Sequence, residues 1–163
     1  MTQPMSEPLP AAPARPRHPL IERLFGEFGY AEVTADNIDA FVQRPGHTLL
    51  FFGADPQQYR ETLDLAVIVP ELVAAFAMHP CGPMTVGVLL PAAARALAPR
   101  YGFRRWPAIV LLRGGGYVGA IDGVRDWSDY TAELARLLDA PVTRPPTVGI
   151  AVRAADDSTS HCH

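Results

Sequence analysis

The chain has 163 residues, 48% of them hydrophobic, and a formal net charge of −3, which is enough for one domain with a sizeable core and the wrong sign for a general nucleic-acid binder. No apolar run approaches the roughly 20 residues that a membrane-spanning helix needs, and the N-terminus lacks the basic-then-apolar layout of a secretory signal. All 14 basic residues are Arg, a pattern of genomic composition rather than of function.

Met1 to Pro19 carries Pro at 4, 8, 10, 13, 16 and 19, which favours extended conformations and is expected to be a disordered tail. Leu20, Ile21, Leu24, Phe25 and Phe28 then recur at helical spacing before Gly29. Tyr30 to Val33 reads as an edge strand, and Thr34 or Asp36 can cap a second helix through Val42. His47 to Phe52 reads as a buried strand leading into Gly53-Ala54-Asp55-Pro56. An acid followed by Pro predicts the start of a long helix at Asp55, running through Tyr59, Leu63, Val67, Leu72 and Phe76 with Pro70 kinking it.

Downstream, Thr85 to Leu90 is a strand and Pro91 to Arg100 a short helix. Ala108 to Leu112 and Tyr117 to Ile121 are strands joined by a Gly cluster, the pattern of a β-hairpin. Proline is tolerated at the first residue of a strand, and Trp106-Pro107 is the one bond type that adopts cis at little cost. Asp126 can cap a final helix from Trp127 to Leu138. Gly114 to Gly119 satisfies G-x-G-x-x-G, but no helix opens after it, so it is not a dinucleotide site.

The order Tyr101-Gly102-Phe103, then Trp106-Pro107-Ala108, an apolar strand, a Gly turn and a helix resembles the C-terminal half of thioredoxin. That resemblance implies an α/β, thioredoxin-like three-layer fold, a central mixed β-sheet flanked by helices, over 20–139. The Pro-rich segment 1–19 and a flexible segment 140–163 lie outside it. In thioredoxins the Pro is cis, and a Trp-Cys-Gly-Pro-Cys stretch follows the central strand. Here that stretch is Gly53-Ala54-Asp55-Pro56-Gln57, and neither Cys position is filled.

Cys81-Gly82-Pro83 imitates half of the redox motif but follows the long helix instead of opening one, where no helix dipole would lower its pKa. His161-Cys162-His163 can bind a stray metal but offers no fixed set of three or four ligands. Neither a cofactor nor a metal site is expected, and two such cysteines suit a reducing cytoplasm.

Within the thioredoxin-like class, Phe51-Phe52-Gly53-Ala54-Asp55-Pro56, Val69-Pro70-Glu71-Leu72 and Tyr101-Gly102-Phe103-Arg104-Arg105-Trp106-Pro107-Ala108 resemble the HyaE/HupG hydrogenase expression proteins, over about Leu20 to Leu138. The resemblance implies a cytoplasmic, non-catalytic accessory chaperone of [NiFe] uptake-hydrogenase maturation. Its partner would be the hydrogenase small-subunit precursor, bound through its twin-arginine signal peptide before export, with contacts to other maturation proteins also open.

The residues agree on separate grounds. Between Glu22 and Glu71 the acids Glu22, Glu27, Glu32, Asp36, Asp39, Asp55, Glu61, Asp64 and Glu71 face only Arg23, Arg44 and Arg60, a half that would attract a basic peptide. Asp55, Glu61, Asp64 and Glu71 are candidates to pair with adjacent arginines, and Tyr59, Trp106 and Pro107 to form an apolar platform. Asp55 as a simple cap and Trp106 as simple packing stay open, as do a one-Cys redox protein using Cys81 and a general interaction module.

Overall fold

The computed structural model describes residues 16–147. Residues 1–15 and the His161-Cys162-His163 end, on which two of the expectations above fall, lie outside them. In chain order the elements are α1 (Pro19–Gly26), β1 (Ala31–Glu32), α2 (Ile38–Val42), β2 (His47–Phe52), α3 (Glu61–Ala75), β3 (Thr85–Leu89), α4 (Pro91–Leu97), a 3-10 turn (Ala98–Arg100), β4 (Ala108–Arg113), β5 (Gly116–Asp122) and α5 (Trp127–Leu138).

The five strands form one sheet in the order β1-β3-β2-β4-β5. β1, β3 and β2 run parallel, and β4 and β5 are antiparallel to their neighbours. β2, at the centre, is buried along its whole length and divides its side chains by the two-residue period of a strand. Leu49 and Phe51 enter a core with Ile21 and Leu24 of α1, Leu65 and Val69 of α3, and Tyr130 and Leu134 of α5. Leu50 and Phe52 enter a second core with Ile38 and Phe41 of α2 and Ala94 and Leu97 of α4. The result is three layers, helices on both faces of a mixed sheet. Burial of each of these large apolar side chains contributes about 1.5–3 kcal/mol. This topology, with a cis Trp106–Pro107 bond before β4, is the thioredoxin-like fold.

The β4–β5 hairpin turns on Gly114 and Gly115, both at positive φ (55° and 87°), which a two-residue hairpin turn requires and which only glycine adopts without strain. A register shift opposite Leu111 and Leu112 inserts an extra residue into β5. Tyr117 therefore packs on the α4 side while Val118 and Ile121 pack on the α5 side, a change of phase that strict alternation would forbid.

Several expected boundaries move. α3 begins at Glu61 and not at Asp55, because residues 56–58 close a separate turn in which the Asp55 carbonyl accepts from Gln58 and Tyr59. The Asp55 carboxylate caps that turn, accepting from the Gln57 N–H at 3.0 Å. As expected, α3 continues through Pro70. α2 begins after Asn37, whose side chain accepts from the Thr34 N–H at 2.8 Å, and Asp126 makes no side-chain bond to α5. Beyond α5, the Thr143 N–H donates to the Tyr117 carbonyl at 2.8 Å and Val142 stands over Gly116, so residues 142–143 lie beside β5.

Candidate functional site

The end of β2, the turn after it, the start of α3 and the loop before β4 meet at one rim of the sheet. Two adjoining hollows open there, of about 140 Å³ and about 500 Å³, each with room for a side chain. The first is lined by Ala54, Asp55, Gln58, Tyr59, Arg95 and Trp106, with Pro91. Glu61, Arg104, Arg105, Gly123 and Val124 line the second. Tyr59 and Trp106 belong to both and form the shared apolar wall. Trp106 is held edge-on by Phe103 (ring centroids 5.0 Å apart), which in turn meets Phe52 of β2 edge-on at 5.0 Å, so the Trp106 side of the wall is tied to the core.

Of the residues singled out from the sequence, Asp55, Tyr59, Glu61 and Trp106 come together here. Pro107 lines neither hollow; it is buried next to Trp106 in the chain, its carbonyl accepting from the Gly123 N–H at 2.8 Å. Asp64 and Glu71 do not line either hollow. Glu71 stands ten residues along α3 from Glu61, a rise of about 15 Å, and its charge acts on Arg23; that of Asp64 acts on Tyr130.

The acids of the N-terminal half are also less free than their number implies. Glu27 pairs with Arg23 at 2.8 Å, Glu32 and Glu22 with Arg17, and Asp39 with Arg100 at 3.0 Å. Among the described residues that line the hollows are two carboxylates, Asp55 and Glu61, and three guanidinium groups, Arg95, Arg104 and Arg105. The arginines are what the sequence reading missed, although Arg104 and Arg105 adjoin Trp106 in the chain and so were bound to flank anything that sits on it.

Cys81 is half-buried in the loop after α3, at the opposite end of that 15-residue helix from the hollows. Its sulfur lies 2.9 Å from His79 Nδ1, a nitrogen that also accepts from the Cys81 N–H at 3.2 Å. Burial, with a smaller contribution from Asp139, pushes the thiol above its usual range, the reverse of what activates a cysteine. Among the described residues no group of three or more His, Cys, Asp or Glu is placed to hold a metal ion, and no helix is long and apolar enough to cross a membrane.

Fold and site together define a thioredoxin-like protein without the cysteine pair, in which an aromatic wall and charges of both signs occupy the rim where that pair would stand. Residues 20–130 match the family model described as Hydrogenase-1 expression protein HyaE, and the chain belongs to that family. It is 39% identical to the hydrogenase expression/formation protein HoxO of Cupriavidus necator over 96% of this chain and 94% of that one. With HoxO of Azotobacter vinelandii the identity is 42%, over 74% and 78%, and with HupG of Rhodobacter capsulatus 34%, over 80% and 92%. A solved structure of the putative hydrogenase expression/formation protein hupG from Rhodopseudomonas palustris is 29% identical, covers 66% of this chain and 94% of its own, and superposes with a TM-score of 0.45.

Proposed function

We propose that the protein is a hydrogenase expression/formation factor that acts in the cytoplasm without catalysis, holding the hydrogenase small-subunit precursor through its twin-arginine signal peptide before export. The observation that carries this reading is the groove itself. Where disulfide exchange would need a thiolate and a resolving thiol, the chain has Ala54-Asp55-Pro56-Gln57, and an aromatic wall stands beside two carboxylates. Asp55 and Glu61 pair with the arginines of the signal peptide through charge-assisted bonds. Tyr59 and Trp106, the latter next to Pro107 in the chain, take its apolar segment. The relatives named as hydrogenase expression/formation proteins support the same assignment.

Titration calorimetry of the full chain with the small-subunit precursor tests it. Binding is expected to weaken as the screening length falls below about 10 Å, and when the twin arginines are replaced by Lys, which cannot make the planar two-point contact. A precursor lacking its signal peptide that binds as tightly as the intact one would sink the assignment.

One observation favours a second reading, a one-cysteine redox protein: the 2.9 Å approach of Cys81 to His79. Against it stand the raised thiol pKa and the distance from the groove. An insulin-reduction assay decides between them. Turnover that disappears in Cys81→Ser would establish the redox reading, and no turnover in the wild type would remove it.

A further inference from the structure

Resting on the groove as a peptide site, we propose that its second hollow is a carboxylate-accepting subsite, in which Arg104 and Arg105 take an acidic side chain of the bound segment. The two backbone N–H groups of this pair are held by one oxygen of Asp122, at 2.9 Å and 3.2 Å, so the loop is fixed at both residues. The side chains are not. Among the described residues neither guanidinium has a hydrogen bond or ion pair, whereas Arg23, Arg100 and Arg136 each engage a carboxylate. Asp122 does not fill that role, since it is occupied by the backbone and by Arg125 at 3.7 Å.

Among the described residues Glu61 is the one carboxylate lining this hollow, against two guanidinium groups, which leaves one positive charge there without a counterpart. The Arg105 stem passes over Gly123, where a Cβ would stand 3.4 Å from its Cδ, so it lies along the rim of the hollow. Tyr59, Trp106 and Val124 supply apolar walls, and an ion pair against such walls is less screened than one on open surface. Two neighbouring guanidiniums can also grip both oxygens of one carboxylate. A segment crossing the Tyr59–Trp106 wall would thus place basic side chains at Asp55 and Glu61 and an acidic one at Arg104 and Arg105.

The test is an array of overlapping peptides covering the small-subunit precursor, read with the full chain and with R104Q/R105Q, both substitutions lying on exposed side chains. Peptides held by the wild type are expected to lose about three- to tenfold in affinity with R104Q/R105Q, and as much when their own Asp or Glu is changed to the amide. The two changes together should cost no more than either alone, and R104K/R105K should recover part of the loss. Bound peptides indifferent to the amide change and to R104Q/R105Q would overturn the subsite while leaving the groove assignment in place. An array on which no peptide is retained would overturn both. Should R104Q/R105Q fold poorly by circular dichroism, the amide change in the peptide decides alone.

Discussion

The Tyr130 hydroxyl donates a 2.9 Å hydrogen bond to the Gly123 carbonyl, and Gly123 donates in turn to the carbonyl of Pro107. Tyr130 is fully buried at the start of α5, so the bond ties that helix to the loop carrying Trp106 and Arg105. Tyr130→Phe keeps the ring and removes the donor. The expected loss is about 1 kcal/mol in urea unfolding, with a shift in Trp fluorescence as the rim loosens. Unchanged stability would mean that ring packing alone anchors α5.

The architecture was legible because strand and helix periods state it directly. His47 to Phe52, Ala108 to Leu112 and Trp127 to Leu138 lie where the apolar pattern put them. Asp55-Pro56 misled because it caps a turn as well as it caps a helix, and the choice was made by where the chain turns toward α3, a tertiary matter. The bulge in β5 went unread, although Gly119, an isolated glycine inside the strand pattern and next to the extra residue, is the kind of signal that marks one. At the site, spacing along the chain exposed the aromatic wall and Asp55, but a count of charge by sequence segment could not reveal that Arg95, Arg104 and Arg105 converge there from two other elements, nor that Glu71 stands far along α3.

Gly102 marks a contact between the segment after α5 and the rim loop. A Cβ there would meet the Pro146 carbonyl oxygen at 2.0 Å, on a backbone at φ +67°. Gly102→Ala must therefore displace residues around Pro146 or strain the loop, at a cost of roughly 1–3 kcal/mol. Thermal unfolding measures the cost. Faster amide exchange at Thr143, which donates to Tyr117, would show that the segment after α5 had lifted, and wild-type stability and exchange would refute the contact.

Acid should destabilise the protein through His47. This residue is 5% exposed, and neither ring nitrogen has a partner among the described residues. Burial lowers its pKa, and Arg113 and His79 lower it further. With the folded pKa depressed, the unfolded chain binds the proton more readily. His47 is neutral in both states above the unfolded value of about 6.5, and stability is lost as pH falls below it toward the folded pKa. His47→Leu removes both the titration and the unpartnered atoms, so denaturant midpoints measured from pH 7.5 down to pH 5 should fall less steeply than those of the wild type. An identical slope would assign the acid sensitivity elsewhere.

The groove assignment makes its sharpest demand on the four acids read from the sequence, since two of them line the hollows and two do not. Asp55→Asn with Glu61→Gln removes both carboxylates while nearly preserving shape. Precursor affinity should fall by about 1–3 kcal/mol if the pairs are partly desolvated by Tyr59 and Trp106, and the residual binding should depend less on salt. Because Asp55 also caps the turn before α3, Asn, which caps comparably well, is preferred to Ala. Asp64→Asn with Glu71→Gln alters net charge by the same amount, yet lies on the stretch of α3 facing Tyr130 and Arg23. General electrostatic attraction would weaken equally with either pair, whereas contact in the groove requires the first pair to dominate. Equal losses measured by calorimetry would reduce the acids to a long-range field and leave recognition to Tyr59 and Trp106.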